Sequence, residues 1–299
     1  MDPLLIPFGF GVGFLVGMTG MGGGSLMTPL LILVFGTAPV TAVGSDITYA
    51  AVTKTVGGWR HLRLGTVNLG LSFWLAVGSV PSAIAGVWVI EWLHDRYGND
   101  LDDIVLTMLA IALIAVGTIV LGRALFSNDV HLREREQFVL TRRHKIAAVA
   151  IGASTGFVIG LTSAGSGTLI AVFLIAFYRL VPRHVVGTDV FHAAVLLAAA
   201  SIAHIVAGNV DFGLVAAILI GSIPGVWIGS HLIMRLPTGV LRIALGVVMI
   251  AASLALFEKA GIDLIITIAI VLPVAFLAFL GARAASGRGG PRASAPVEP

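Results

Sequence analysis

Apolar runs separated by short polar stretches fill almost the whole chain. They fall at about 4–35, 43–63, 69–92, 103–125, 145–178, 185–207, 211–234, 238–257 and 262–281. Most have the length of a helix that crosses a hydrocarbon core, about 20 residues. The pattern predicts an all-α polytopic membrane protein. Two runs do not fit a simple crossing. Residues 4–35 number 32, too long for one straight span and too short for two, and 145–178 is similar. Each is interrupted by a polar, glycine-rich stretch, Gly17–Ser25 (GMTGMGGGS) and Gly160–Thr168 (GLTSAGSGT). Non-helical backbone survives at membrane depth only where protein buries it or where it lines a cavity. Each long run is therefore expected to be a hairpin of two half-length helices with its tip inside the membrane.

The two breaks belong to a larger repeat. Sliding the chain on itself by 143 residues superposes Gly9, Gly13 and Gly17 on Gly152, Gly156 and Gly160, and Gly22 and Gly24 on Gly165 and Gly167. Pro39, Gly44, Asp46 and His61 fall on Pro182, Gly187, Asp189 and His204, while Gly78, Pro81 and Gly86 fall on Gly221, Pro224 and Gly229. The protein reads as two homologous halves, 1–125 and 145–257. A charged linker at 126–144 joins them, an additional membrane helix follows at 258–282, and 283–299 is a tail. The linker is expected to form a short surface helix, and the tail, rich in Gly, Pro, Ala and Arg, to be disordered.

If each half opens with a hairpin and adds three crossings, the halves have opposite orientation. With the linker placed inside, every Lys and Arg except Arg96, Lys259 and the intramembrane Lys54 lies on the cytoplasmic side. Letting each long run cross once divides them almost evenly. The excess of basic residues in cytoplasmic loops selects the hairpins, and inverted repeats with broken helices are a transporter architecture. The expected location is the cell (inner) membrane, multi-pass, with linker and C-terminus cytoplasmic.

Composition agrees with this class. Of 299 residues 58% are hydrophobic and 11% charged, against about 25% charged in soluble domains, and the mean hydropathy is +1.03. The net charge of +3 follows from topology, so no nucleic-acid partner is expected. There is no cysteine, which excludes disulfides and thiolate-held metals. No basic region with a cleavage site opens the chain, so the first apolar segment is expected to be retained. No HExxH, paired catalytic carboxylates or nucleophile elbow is present, so no enzyme, cofactor or metal is expected.

The candidate chemistry gathers at the breaks. The second half-helix of each hairpin begins there, and unpaired N–H groups at the positive end of a helix dipole attract anions. Thr19, Gly22, Gly23, Gly24 and Ser25 in the first break, and Thr162, Gly165, Ser166, Gly167 and Thr168 in the second, are the candidate substrate-binding residues. The competing reading is that the glycines serve a tight turn. The GxxxGxxxG spacing of Gly9, Gly13 and Gly17, and of Gly152, Gly156 and Gly160, points to close helix packing. Lys54 is the one basic residue at mid-membrane, where a charge marks a pathway or a pair; its repeat mate is Leu197. Asp46 and Asp189 sit where N-caps are expected. Their functional alternative is proton handling with Tyr49 and His192, one turn along, the pair Asp189–His192 being favoured. His204 reads as structural.

The motif GFLVGMTGMGGGSLMTPLL…VGSD, repeated as GFVIGLTSAGSGTLIAVFL…VGTD, with GSVPSAIAG and GSIPGVWIG, resembles the sulfite exporter TauE/SafE family over about residues 4–257. The resemblance implies a secondary transporter of small anions such as sulfite and organosulfonates, and it supports the hairpin residues as binding residues. The expected partners are a small anionic substrate, the lipid bilayer, protons as a candidate coupling ion and, as an open option, further copies of the chain. An anion channel and a non-transporting membrane sensor or scaffold are the rival readings. The absence of a sizeable soluble domain speaks against the latter.

Overall fold

In the computed structural model of the protein the described residues are 4–19, 24–98, 101–126, 140–165, 167, 169–178, 180–232, 238–263, 266, 267, 269, 271 and 273. Every regular element of more than one residue among them is helical: α1 Leu5–Thr19, α2 Gly24–Val34, α3 Pro39–Arg63, α4 Leu69–Tyr97, α5 Leu101–Phe126, α6 Arg142–Thr162, α7 Leu169–Phe173, α8 Pro182–Val206, α9 Phe212–Leu232 and α10 Thr238–Lys259. A π-helical turn, Leu174–Tyr178, continues α7. Five of the helices are long and apolar enough to cross a membrane, α4, α5, α6, α8 and α9. At 25 residues α3 is as long, but it carries Asp46, Lys54, Arg60 and Arg63. Trp59, Trp88, Trp92 and Trp227 stand exposed on the outer surface, as side chains that face lipid do. The central part of the linker, the tail, and most of the segment 262–281 lie outside the described residues, whereas Arg142–His144 already belong to α6 behind a Thr141 cap.

Both long runs double back. The Phe8 ring, near the start of α1, meets the Phe35 ring, just after α2, edge-to-face at 4.8 Å. In the second half the Tyr178 hydroxyl donates to the His144 carbonyl at 2.8 Å. A continuous helix would hold either pair about 40–50 Å apart. Tyr178 is the repeat mate of Phe35, so the same closure is made twice with different chemistry. The returning arms lie inside the bundle: Met27, Leu31 and Ile32 of α2 are fully buried, as are Ile170 and Leu174 in the second half.

The helices pair across the repeat. α1 packs along α9, α6 along α4, α3 along α8 and α5 along α10. Glycine sets the first two contacts. A Cβ at Gly9, Gly13 or Gly17 falls within 3.0 Å of the carbonyls of Ile218, Ser222 or Val226, and one at Gly152, Gly156 or Gly160 falls as close to those of Leu75, Ser79 or Ala83. The numbers rise together, so α1 runs parallel to α9 and α6 parallel to α4. By contrast α3 and α8 are antiparallel, with Gly44 against Asn209, Thr48 against Ser201, Gly58 against Phe191 and Thr66 against Gly187.

One local expectation is corrected. Asp46 and Asp189 are not N-caps, because α3 and α8 begin earlier, at Pro39 and Pro182 behind Ala38 and Val181, with no side-chain cap at either end. Proline at the first helical position is preorganised for the helix and lacks only an N–H that would be unpaired anyway. Each carboxylate consequently lies two turns inside its helix.

Candidate functional site

The centre of the molecule is where α3 and α8 pass each other, and the repeat is written into its hydrogen bonds. Ser45 Oγ accepts from the Asp211 N–H at 3.0 Å, and its mate Thr188 Oγ1 accepts from the Asn68 N–H at 3.0 Å. Tyr49 faces Ser222, and in the other half His192 Nε2 pairs with Ser79 Oγ at 2.9 Å. His204 Nε2 pairs with the Gly160 carbonyl at 3.0 Å, which ties α8 to the end of α6 and fits the structural role expected of it.

Asp46 joins the two hairpins. Its Oδ2 accepts from Thr28 Oγ1 on α2 at 2.5 Å and from Ser163 Oγ at 2.8 Å. Ser163 is the residue at which α6 stops, and its φ of +58° makes it the one non-glycine in the left-handed region among the described residues. Such a conformation costs of order 1 kcal/mol or more for a residue with a Cβ, and the bond to Asp46 helps hold it. All three side chains are fully buried. Asp46 Oδ1 is also buried and has no hydrogen-bond partner.

Behind Ser163 the chain turns through Ala164 and Gly165. Gly165 has φ +88°, and a Cβ there would press on Leu169 and Val116, so glycine at this point serves the turn. The Thr162 hydroxyl is used inside the turn, donating to the Val158 carbonyl and accepting from the Ala164 N–H. Gly167 is part-buried beyond it. Ser166 and Thr168 lie outside the described residues, as do Gly22 and Gly23. Thr19 ends α1, and Gly24 and Ser25 begin α2.

Lys54 is buried, and its charge acts on the Asp189 carboxylate across the α3–α8 contact. Lys54 is thus within electrostatic reach of Asp189, whose Oδ1 is buried with no hydrogen-bond partner, while His192 turns to Ser79. Thr28, Ser163, Ser79 and Ser222 were not among the candidates read from the sequence. Ser79 and Ser222 were accessible to it, being mates in the repeat.

Comparison with known proteins adds to this geometry. The model of the family described as "Sulfite exporter TauE/SafE" matches residues 5–256. The chain belongs to the TauE/SafE family. It is 38% identical over 256 residues to the "Probable membrane transporter protein YjnA" of Bacillus subtilis, covering 86% of this chain and all of that protein. It is 30% identical over 278 residues to a "Probable membrane transporter protein" of Xylella fastidiosa, covering 89% of this chain and 99% of that one. A third relative, YdhB of Bacillus subtilis, carries the same description at 28% identity over 243 residues, 81% of this chain and 94% of its own length. No solved structure matches the chain. This TauE/SafE protein is thus a multi-pass membrane transporter and not an enzyme.

Proposed function

We propose that this TauE/SafE protein is a secondary transporter that exports a small oxyanion, such as sulfite or an organosulfonate, by alternating access. The observation that carries the reading is the joining of both hairpins through Asp46, with Thr28 of one and Ser163 of the other on a single carboxylate oxygen. Two intramembrane breaks brought to one point are what an occluded binding site requires. Inverted orientation of the halves 1–125 and 145–257 is supported by the antiparallel course of α3 and α8, which occupy equivalent places in the repeat. Single crossings at 4–35 and 145–178 would make them parallel.

In this reading Thr19, Gly22, Gly23, Gly24 and Ser25 on one side, and Thr162, Gly165, Ser166, Gly167 and Thr168 on the other, hold the anion, with Lys54 adding positive charge. Asp46, Tyr49, Asp189 and His192 are the groups from which proton coupling is drawn. The linker 126–144 and the C-terminus are cytoplasmic, and 258–282 is an additional crossing.

The test is flux. Liposomes containing the purified protein and loaded with unlabelled sulfite should take up radiolabelled sulfite at least about tenfold faster than empty ones, a difference of about 1.4 kcal/mol in barrier. Ser25→Leu and Thr168→Leu should each remove the gain. Equal rates with and without protein, for sulfite and for sulfoacetate, would overturn the substrate class.

A further inference from the structure

The break of the second hairpin gathers oxygen atoms around one carboxylate. Asp46 Oδ2 accepts from Thr28 Oγ1 and from Ser163 Oγ, and Asp46 Oδ1 is buried with no hydrogen-bond partner. Two hydroxyl donors favour the ionised form of a carboxylate. A hydroxyl that has given its hydrogen to Oδ2 has only lone pairs left to offer. Oδ1, Thr28 Oγ1 and Ser163 Oγ are therefore three acceptors on fully buried residues. Ser163 also closes α6, and the C-terminal end of a helix carries partial negative charge that favours a cation. The ends of broken membrane helices serve cations in this way.

The second half does not repeat the arrangement. The mates of Thr28 and Ser163 are Ala171 and Gly20, which have no side-chain oxygen. Asp189 also has a buried, unpartnered Oδ1, but these two hydroxyls have no counterpart beside it. The difference between the halves lies in the neutral oxygens and not in the carboxylates.

The charge on Asp46 calls for a positive partner, and the described basic groups are engaged or remote. Its electrostatic neighbour on α3 is the Tyr49 phenol. Lys54 stands about 12 Å further along α3, and its charge acts on Asp189. His204 pairs through Nε2 with the Gly160 carbonyl and through Nδ1 with the Asn209 amide nitrogen at 3.5 Å. A ring that donates at one nitrogen and accepts at the other is neutral. Arg183 lies about 27 Å along α8 from Ser201, the residue that bonds Thr48. Lys145 is about as far from Ser163 along α6, and Lys259 Nζ bonds the Ile32 carbonyl, beyond Thr28 toward the end of α2. An ionised group in a dry interior is strongly destabilised without a compensating charge, and a water molecule supplies none.

We propose that Asp46 Oδ1, Thr28 Oγ1 and Ser163 Oγ bind a sodium ion, held between the first hairpin and the break of the second. One positive charge neutralises one carboxylate, whereas a divalent ion would leave an excess charge in the interior. Among the described residues no three His, Asp or Glu side chains form a group that could hold a metal ion, which agrees with a monovalent ion on a single carboxylate and neutral oxygens. Carboxylate and hydroxyl oxygens are hard, strong-field ligands, and such ligands favour the smaller sodium ion over potassium. Tyr49, Asp189 and His192 are then the groups left for a proton. The site stands independently of which species is transported.

The test uses the purified full-length protein in detergent, melted in sodium, potassium or choline chloride at equal ionic strength. Sodium should raise the melting temperature in a saturable way, and potassium and choline should not. Asp46→Asn should abolish the rise, and Asp189→Asn should keep it. Ser163→Gly removes one ligand and relieves the left-handed backbone at this position, so the variant should fold. It should raise the half-saturating sodium concentration at least about tenfold. Thr28→Val should do the same, while Thr28→Ser, which keeps the hydroxyl, should bind as the native protein does. Equal stabilisation by the three salts overturns the site. So does a sodium-specific rise that persists unchanged in Asp46→Asn and Ser163→Gly, or one lost in Asp189→Asn.

Binding of radioactive sodium gives the same comparison without unfolding the protein. Label should be displaced by unlabelled sodium and not by potassium, and Ser163→Gly should retain little of it. Label bound equally by the native protein and Ser163→Gly, or no displaceable label on the native protein, overturns the proposal. Neither assay contains a sulfur oxyanion, so failure of the anion reading would leave both results unchanged.

Discussion

At the scale of single residues, some buried polar groups of this membrane protein are compensated by a neighbouring charge and others by hydroxyls. Lys54 and Asp189 are of the first kind, both buried and within electrostatic reach of each other. Lys54→Met leaves the Asp189 carboxylate less compensated and should therefore destabilise the protein. Lys54→Met combined with Asp189→Asn should recover most of that loss, as read from thermal melting in detergent. A double variant no better than the single one would mean that the two groups do not compensate each other. Thr28 is of the second kind. Thr28→Val deletes a donor to a buried acceptor and should cost about 1–3 kcal/mol, with the same change at half-buried Thr107, which bonds to the Asp103 carbonyl within its own helix, costing much less. What the sequence concealed lies at this scale. The bonds of Asp46 join residues 18 and 117 positions away, and no local pattern reports such a pairing. Its depth was misread because Pro39 starts the helix before the apolar run becomes continuous.

Elements were more legible. Glycines every fourth residue, duplicated at the same offset in both halves, mark two close helix contacts from spacing alone, and α1 on α9 and α6 on α4 are those contacts. The breaks in the long runs were equally visible, since a run of that length has to fold back. Less visible was the π-helical turn after α7, which has no counterpart in α2 and no residue signature that we can name. The packing can be tested by contrast within one helix. A Cβ on Gly13 would lie 2.6 Å from Ser222 Cα, whereas one on Gly11 would meet nothing within 4 Å. Gly13→Ala should destabilise by about 1–3 kcal/mol through overpacking, and Gly11→Ala should be neutral or stabilising by up to about 1 kcal/mol. Comparable melting temperatures for the two variants would contradict the parallel α1–α9 contact.

The whole molecule is organised by the exchange of partners between halves. Each half alone would expose its glycine faces and leave Asp46 without Ser163, so neither half is expected to be a unit on its own. The inverted arrangement proposed above predicts that equivalent loops open on opposite sides of the membrane. Leu64, after α3, and Ala207, after α8, are repeat mates, and Leu64 is well exposed. Cysteines placed singly at these positions in a chain that has none should react with an impermeant maleimide from opposite faces of oriented vesicles; reaction from one face would restore parallel halves. In the sequence it is the distribution of basic residues that argues for inversion, because that rule depends on loops and not on packing. In the proposed reading substrate identity is written at the tips, in few residues, and composition carries no trace of it.

A small anion bound between the two hairpins should stabilise the fold, and that stabilisation can be measured. The detergent-purified protein should be melted alone and with sulfite, sulfate, thiosulfate, sulfoacetate, taurine, acetate or chloride. A ligand that binds only the folded state at about a hundred times its Kd adds about 2.7 kcal/mol. A selective rise in melting temperature with one sulfur oxyanion is predicted, lost on Ser25→Leu or Thr168→Leu. No rise with any of these anions, or a rise that both variants retain, would contradict the site.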